Sequence, residues 1–435
     1  MTYQQAMLYL QASYKPDTKK GLSQMAAALQ IMGNPQQRLK IIHVAGTNGK
    51  GSVCAMLAAI LSEAGYNVGK FTSPHLHVVN ERIAINNSII SNEDFARYMS
   101  KIADVSEKMF GTADTFSFFE ILTLMAFDYF AEQGVDFVLL EVGIGGRLDA
   151  TNVIKSPLLA VIMSIGLDHM EILGNTVEEI AKEKAGIIKQ NCPVVLYPNT
   201  NVVYNIIADI ATEKKAKIFS ASDVDLQILN FSEKGTSFIA FHEYFGKINI
   251  ELNLPGFYQQ QNAACAIAAC VALNKTGIKI TAENICRGLA QVNWGGRMEI
   301  AAKNPTIVLE GAHNLQGAHA AAKNMVTLFD GKEITLLAGI LQSKQYTEIL
   351  HTMSKHAKNI VLTKPKYDFK AIPPAELAAA LTGRENVHVI EDCVAALKKA
   401  KEIAGTTGVI FCAGSLYLVG DIRAVLIENE DDNND

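Results

Sequence analysis

Residues 39–52 read Leu-Lys-Ile-Ile-His-Val-Ala-Gly-Thr-Asn-Gly-Lys-Gly-Ser. The first seven form a short β-rich run, and helical character begins at Lys50 and continues to Ala64. A glycine-rich turn between a strand and a helix is where a phosphate sits. Its backbone N–H groups and the positive end of the helix point at the anion, and Lys50 adds a full charge. The spelling departs from the strict GxxxxGK[ST] loop. Val44 stands where the first glycine belongs, Gly51 follows the lysine, and Ser52 comes one place late. A plain glycine turn with a surface lysine explains less, because so many small residues surround one lysine at this junction.

Outward from this loop the same grammar repeats. Strand-like runs at 67–71, 136–142, 158–165 and 193–197 alternate with helical stretches at 92–110, 116–133 and 176–189. Thr176 is placed as the N-cap of the last of these, with Glu178 and Glu179 in its first turn. Apolar strands between helices predict a mostly parallel sheet covered on both faces. Residues 216–254 break the rhythm with short strands and polar turns, and predict an antiparallel insert at the edge of this first domain. A helical pair at 258–275 and 281–291 follows. After Trp294-Gly-Gly-Arg297 the alternation restarts, with strands near 306–310, 333–339, 358–363, 387–390 and 408–412. The predicted fold is α/β in two domains: residues 1–296 with a P-loop-type sheet, and residues 297–435 with a Rossmann-like sheet. The acidic tail Glu428–Asp435 is expected to fray.

Composition removes whole classes of function. The chain has 435 residues, 49% of them apolar, 19% charged and only 11 prolines, which excludes a mainly disordered protein. The longest clean apolar run, Ala263–Leu273, falls well short of the about 20 residues a membrane-spanning helix needs. The N-terminus lacks a basic segment followed by an apolar one, so a cytoplasmic protein with no membrane partner is expected. The net charge of −5, with no basic run longer than a pair such as Lys214-Lys215, argues against nucleic acid. Seven scattered cysteines without a CxxC pair read as free thiols.

Gly46-Thr-Asn-Gly-Lys-Gly-Ser52 resembles the variant nucleotide loop of the Mur ligase superfamily. Gly33-Asn-Pro and Ile42-His-Val-Ala45 are similar to its folylpolyglutamate synthase/dihydrofolate synthase branch. The likeness continues in order through TSPHL (72–76), ERI (81–83), FFE (118–120), EVGIGGRLDATN (141–152), GLDHMEILGNTVEEIAKEKAGIIK (166–189), QQNAACA (260–266), GGRME (295–299), GAHN (311–314) and AGSLYLVGDIR (413–423). The resemblance implies an ATP-dependent ligase that phosphorylates a folate-type acid, a folate or dihydropteroate, and joins it to L-glutamate. It also implies a monomer and magnesium at two sites.

That chemistry needs positive charge over the transferring phosphoryl group and oxygen ligands for magnesium. Gly46, Thr47, Asn48, Gly49, Lys50, Gly51 and Ser52 are the expected phosphate cradle. Glu141 ends an apolar strand at the ligand-binding edge of such a sheet. By resemblance, Glu141 and Ser73 hold one magnesium and His169 contributes to the second. Lys184 lies on an apolar helical stripe with Ile180 and Ile188. The matching family lysine can be carbamylated, which would turn a cation into an oxygen ligand. Asn262 is expected near adenine and Arg297 at the polyphosphate as the domains close. Glu310 stands where the family usually carries Asp, and Leu315 where it carries Pro. His313 is an expected catalytic residue beside Lys50 and Lys184, and His313 and Ser415 are expected to meet the incoming glutamate. Asp149 is a candidate contact for the pterin edge and Phe119 for its face.

Three other functions share parts of this pattern. A Mur-type cell-wall ligase should carry an extra N-terminal domain, yet the loop already starts at Gly46. A dehydrogenase would need a glycine where Leu148 ends Gly143-x-Gly-Gly-x-Leu. A nucleotide-dependent switch would need the strict loop and no second α/β domain.

Overall fold

The computed structural model describes residues 1–14, 21–111, 115–342, 345–366 and 370–431. An eight-stranded sheet carries the first half of the chain. Its strands are β1 (Ile41–Ala45), β2 (Val68–Phe71), β3 (Ile83–Ile85), β4 (Ser88–Ile89), β5 (Phe137–Glu141), β6 (Leu159–Ile162), β7 (Val194–Leu196) and β8 (Ile218–Ser220). They lie in the order β4-β3-β2-β5-β1-β6-β7-β8. The pairs from β2 to β8 are parallel, and β3 and β4 run antiparallel at one edge.

Side chains of a strand alternate between faces. Ile42 and Val44 therefore join the core under the helices Lys50–Glu63, Phe257–Lys275 and Ala282–Gln291, together with Leu139 and Val161. Ile41 and Ala45 point to the other face. There the helices Tyr3–Ala12, Ser23–Ile31, Asn92–Phe110 and Phe118–Gln133 cover one part, and Val177–Ala185 and Asn201–Glu213 the rest. All five residues of β1 and of β5 are buried. Burying each Val, Ile or Leu contributes about 1.5–3 kcal/mol.

The antiparallel segment expected over 216–254 is present with two refinements. Ile218–Ser220 pairs parallel with β7 as the last strand of the main sheet. The remaining strands, β9 (Asp225–Ser232), β10 (Gly235–His242) and β11 (Gly246–Leu252), form a sheet of their own in the order β11-β10-β9. Its inner face, with Phe238, Ile248 and Ile250, joins the core under Phe257–Lys275.

The second large sheet comprises β12 (Glu299–Ala302), β13 (Thr306–Leu309), β14 (Ile334–Ala338), β15 (Asn359–Leu362), β16 (Val387–Val389) and β17 (Val409–Ala413). Its order is β12-β13-β17-β14-β15-β16, parallel except for β12 at the edge. The strands fall where the alternation predicts them, apart from β12. The helices Tyr3–Ala12 and Ser23–Ile31 and the hairpin β3-β4 were also not foreseen. Of the acidic tail, residues 432–435 lie outside the described residues, and the helix Leu416–Asp431 takes in the remainder. Among the described residues, no helix is long and apolar enough to cross a membrane. All seven cysteines are free thiols, six of them buried.

Candidate active site

The loops leaving the carboxyl ends of the parallel strands carry the chemistry, as the topology of such sheets dictates. Gly46 follows β1, and a Cβ on it would lie 2.5 Å from the Cβ of Met163. Gly49 has φ +87°, and a Cβ there would lie 2.6 Å from Asn262 Oδ1. Glycine is therefore required at both positions for the backbone to reach its neighbours. Thr47 pins the loop to the one after β6: its N–H donates to Ser164 O at 2.7 Å, and its hydroxyl donates to Gly166 O at 3.1 Å.

Lys50 opens the following helix and folds back on the loop, its Nζ donating to Gly46 O at 3.0 Å and Thr47 O at 3.3 Å. Ser52 is buried and accepts from Gln259 Nε2 at 3.4 Å. Gln259 Oε1 in turn accepts from Asn262 Nδ2 at 2.9 Å. Asn262 thus sits against the glycine loop, beside Gly49 and linked to Ser52 through Gln259. Trp294 lies over Gly51, and the Lys70 ammonium sits 4.8 Å from its ring.

Glu141 ends β5 fully buried, and its Oε2 accepts from Ser73 N–H at 2.9 Å. Burial pushes this carboxyl above its ordinary range, opposed by the charge of Lys50, the Ser73 N–H, Arg297 and Arg82. Lys184 is also buried, and its Nζ donates to Gly46 O at 2.9 Å. Burial, helped by the positive charge of Lys50, lowers this amine to about 7, while Asp168 and Asp149 act the other way. Both extreme groups are reached through one lysine, Lys50.

Asp168 is the group the sequence reading missed. Burial alone would raise it, but His313, His169, Asn314 and Lys50 together hold it below the usual carboxylate range. Asn314 Nδ2 donates to Asp168 Oδ2 at 3.1 Å and to Asn48 Oδ1 at 3.0 Å. Asn48 Nδ2 returns a bond to Asn314 Oδ1 at 3.2 Å and donates to Gln316 Oε1 at 2.9 Å. Asn314 also caps the helix Leu315–Leu328, its Oδ1 accepting from Gly317 N–H at 2.9 Å. One amide thus ties the nucleotide loop to the second sheet. Asp168 and Asn314 both lie inside quoted motifs, but the signal there went to the adjacent histidines.

His313 Nε2 lies 3.8 Å from Asp168 Oδ2, while its Nδ1 sits 2.8 Å from Gly311 O. A carbonyl only accepts, so the proton is on Nδ1 and Nε2 is the free acceptor. Burial lowers the His313 pKa, which keeps the ring neutral. His169 is more exposed, sits in a left-handed conformation (φ 48°) and flanks Asp168 at 3.9 Å and Glu171 at 4.0 Å.

Arg297 packs onto Gly311, where a Cβ would lie 2.0 Å from its Nη1. Its neighbour Glu310 is buried and accepts from Tyr258 OH at 2.7 Å and from Met298 N–H at 3.1 Å. The longer glutamate arm is used on the protein itself, and burial raises this carboxyl, with Arg297 the main opposing charge.

Phe119 lies over Gly143, whose missing Cβ would sit 2.7 Å from the ring and 3.1 Å from Asp149 Oδ2, so the two candidate acid-binding residues are neighbours. Asp149 is buried: its Oδ2 accepts from Ile144 N–H at 3.0 Å, and its Oδ1 from Thr151 N–H at 3.0 Å. Ser415 is buried at the start of the last helix, where its hydroxyl oxygen accepts from Tyr417 N–H at 3.1 Å. It therefore caps that helix. Among the described residues there is no cluster of three or more His, Cys, Asp or Glu side chains of the kind that holds a metal unaided.

This geometry has counterparts. Residues 44–270 match the Mur ligase middle domain, and residues 296–416 the Mur ligase glutamate ligase domain. A dihydrofolate synthase/folylpolyglutamate synthase of Bacillus subtilis is 37% identical, over 97% of this chain and 98% of its own. A folylpolyglutamate synthase of Lacticaseibacillus casei is 33% identical, over 98% and 99%. Mycobacterium tuberculosis folylpolyglutamate synthase, solved with ADP and AMPPCP, superposes with a TM-score of 0.88 at 30% identity, covering 98% of both chains. With a nucleotide loop, a buried lysine–carboxylate edge and a second sheet tied to it, the chain belongs to the dihydrofolate synthase/folylpolyglutamate synthase family of Mur ligases, and is an ATP-dependent acid–amino-acid ligase.

Proposed function

We propose that the enzyme joins L-glutamate to a tetrahydrofolate, extending its polyglutamate tail, and to dihydropteroate, releasing ADP and phosphate. Residues 1–296 serve as the nucleotide-binding unit and residues 297–435 as the glutamate-ligase unit. The observation that carries this reading is the convergence at one edge of Lys50, Glu141, Asp168, Lys184 and Arg297, with His313 held beside them by the Asn48–Asn314 bond.

A carboxylate is a poor electrophile, so the acid must first attack the γ-phosphorus of ATP and form an acyl phosphate. The N–H groups of residues 46–52 and the Lys50 ammonium cradle the phosphates. Arg297 adds charge from the second unit and couples its approach to the transfer. The buried Glu141 carboxylate and the Ser73 hydroxyl supply hard oxygen donors, and the charge of Glu141 is uncompensated enough for burial to raise its pKa. These residues would hold one magnesium ion, and His169 with Asp168 and a carbamylated Lys184 would hold a second; bound there, the metal would supply positive charge against the developing phosphoryl charge. A Lys184 amine near neutrality is reactive toward CO2, which supports its carbamylation. The glutamate ammonium gives a proton to His313 Nε2 under the attraction of Asp168. The freed amine then attacks the acyl carbon, and phosphate leaves. Asp149 and Phe119 hold the ring of the acid. Free thiols fit a reducing cytoplasm and a negative net charge fits an enzyme that does not bind nucleic acid; the monomer is what the family resemblance implies.

The test incubates the protein with ATP, magnesium, L-glutamate and either dihydropteroate or tetrahydrofolate, and weighs the product. One glutamate added per ADP released is expected with each acid. ADP release that ignores acid and glutamate would refute the reading.

A further inference from the structure

Strand β1 is apolar at four of its five positions and carries the fully buried His43 at the other. Burying an imidazole is unfavourable unless its polar atoms are bonded, and an apolar side chain would cover this face without that cost. His43 makes one bond, between Nε2 and Thr151 Oγ1 at 2.8 Å, while Nδ1 is buried without a partner. The single hydroxyl proton of Thr151 goes to Asp149 Oδ1 at 2.5 Å.

These facts fix the direction of the chain. Burial raises the Asp149 carboxyl, but backbone N–H groups on both oxygens and the Thr151 hydroxyl on Oδ1 oppose this and are all donors to it, so Asp149 is the acceptor at the end of the chain. Thr151 has no second proton to give, so Nε2–H of His43 must be its donor. The reverse order would strand a buried N–H at Nδ1, which proteins avoid more strictly than a bare lone pair. Burial, with the nearby Lys189 ammonium, drives the His43 pKa down to about 3, so the ring is neutral and Nδ1 bare. Lys189 Nζ itself lies 3.5 Å from Asn152 O, in the same loop.

We propose that His43 is a positioning residue: its Nε2–H, relayed through the Thr151 hydroxyl, orients the Asp149 carboxylate and so sets the loop 143–152 for the acid substrate. The relay runs from the strand that enters the phosphate cradle to the loop under Phe119, joining the nucleotide and acid ends of the site. The proposal rests on the reading that this loop binds the acid.

Three substitutions separate the relay from packing. The amide nitrogen of His43→Gln reaches the place of imidazole Nε2. That of His43→Asn reaches only the place of Nδ1, and His43→Leu fills volume without a donor. ADP release is measured against dihydropteroate or tetrahydrofolate at saturating ATP and glutamate, and then against ATP. Losing the neutral hydrogen bond from His43 Nε2 to Thr151 predicts roughly a fivefold rise in KM for the acid in the Asn and Leu variants. KM for ATP stays within about twofold, and His43→Gln stays within about threefold of the parent for the acid. Thr151→Val should reproduce the loss and Thr151→Ser should spare it, which keeps the test decisive where a His43 variant fails to fold. Equal behaviour of Gln, Asn and Leu, or of Ser and Val at 151, would overturn the relay, as would KM for ATP rising in parallel. Asp149→Asn distinguishes the two levels. An unchanged acid KM in that variant would overturn the loop's assignment itself. A raised one, with His43→Asn and Thr151→Val silent, would overturn the relay alone.

Discussion

Replacing Lys184 with Met should make the protein more stable relative to the parent at low pH than at high pH, while abolishing ligation. Lys184 is buried and its pKa falls from 10.5 in the unfolded chain to about 7 in the fold. Between those values the unfolded chain holds a proton that the folded one has released, so the parent's stability rises with pH. Below the folded value the folded lysine is also charged, and the penalty is complete. The difference of 10.5 − 7 = 3.5 units corresponds to about 5 kcal/mol of penalty near pH 6. At pH 9.5 only about 1 kcal/mol of it remains, because the unfolded lysine is itself beginning to titrate. Met keeps the volume, carries no proton and is indifferent to pH. The advantage of Lys184→Met over the parent should therefore shrink by roughly 3 kcal/mol between pH 6 and pH 9.5. Taking a difference across pH cancels the lost bond to Gly46 O and any change in packing. Urea unfolding in CO2-free buffer measures it. The sole tryptophan, Trp294, packs on Gly51 and Lys70 and reports the unfolding of the unit that holds Lys184. A variant-to-parent difference that stays constant across this range would refute a depressed Lys184.

Lys50→Ala should eliminate ATP-dependent product while leaving circular dichroism unchanged; near-normal turnover would defeat the assignment of the phosphate cradle. Glu141→Gln keeps the shape but removes the charge, and should move the midpoint of a magnesium titration at least about tenfold higher; an unmoved midpoint would exclude Glu141 as a ligand. Gly49→Ala puts a methyl 2.6 Å from Asn262 Oδ1 at φ +87°, strain of about 1–3 kcal/mol that should appear as weaker nucleotide binding by calorimetry.

The parallel sheets were legible because burial on both faces writes itself as unbroken apolar runs. Phe137–Glu141 and Val409–Ala413 are buried at every residue and stand out in the sequence for that reason. The helix Asn92–Phe110 was legible from its pattern of apolar positions, with the residues that Ser91 caps. The hairpin β3-β4 was not, because Ser88–Ile89 is a two-residue exposed edge with no periodicity to read. The same division runs through the site. Residues bound to a local motif, such as Gly49 and Lys50, could be named from spacing, and Glu141 from its place at the end of an apolar strand, its metal role being implied by the family resemblance. Asp168 could not be singled out beside His169, because its importance comes from Asn314, which is 146 residues away in sequence and bonded to it only through the tertiary fold. Ser415, expected to meet the incoming glutamate, also has a local task that the motif did not announce: its hydroxyl oxygen caps the last helix.

Lys50 shows how the two units can act together. Its ammonium donates to two neutral carbonyls, Gly46 O and Thr47 O, and Lys184 donates to the first of these as well. Hydrogen bonds to an ionised acceptor are roughly twice as strong as those to a neutral one, so a phosphate oxygen outcompetes the carbonyls for Lys50. Were Lys50 to turn to a bound phosphate as proposed, Gly46 O would keep Lys184 as a partner and the loop would not need to reorganise. The charge Lys50 carries also bears on Glu141, Lys184 and Asp168, so its movement changes three titrating groups at once. Asp168 is bonded to the second unit through Asn314. On the proposed mechanism, a shift of Lys50 toward phosphate would be felt at the contact that positions His313, which would link phosphate binding to amine activation through one lysine and one aspartate.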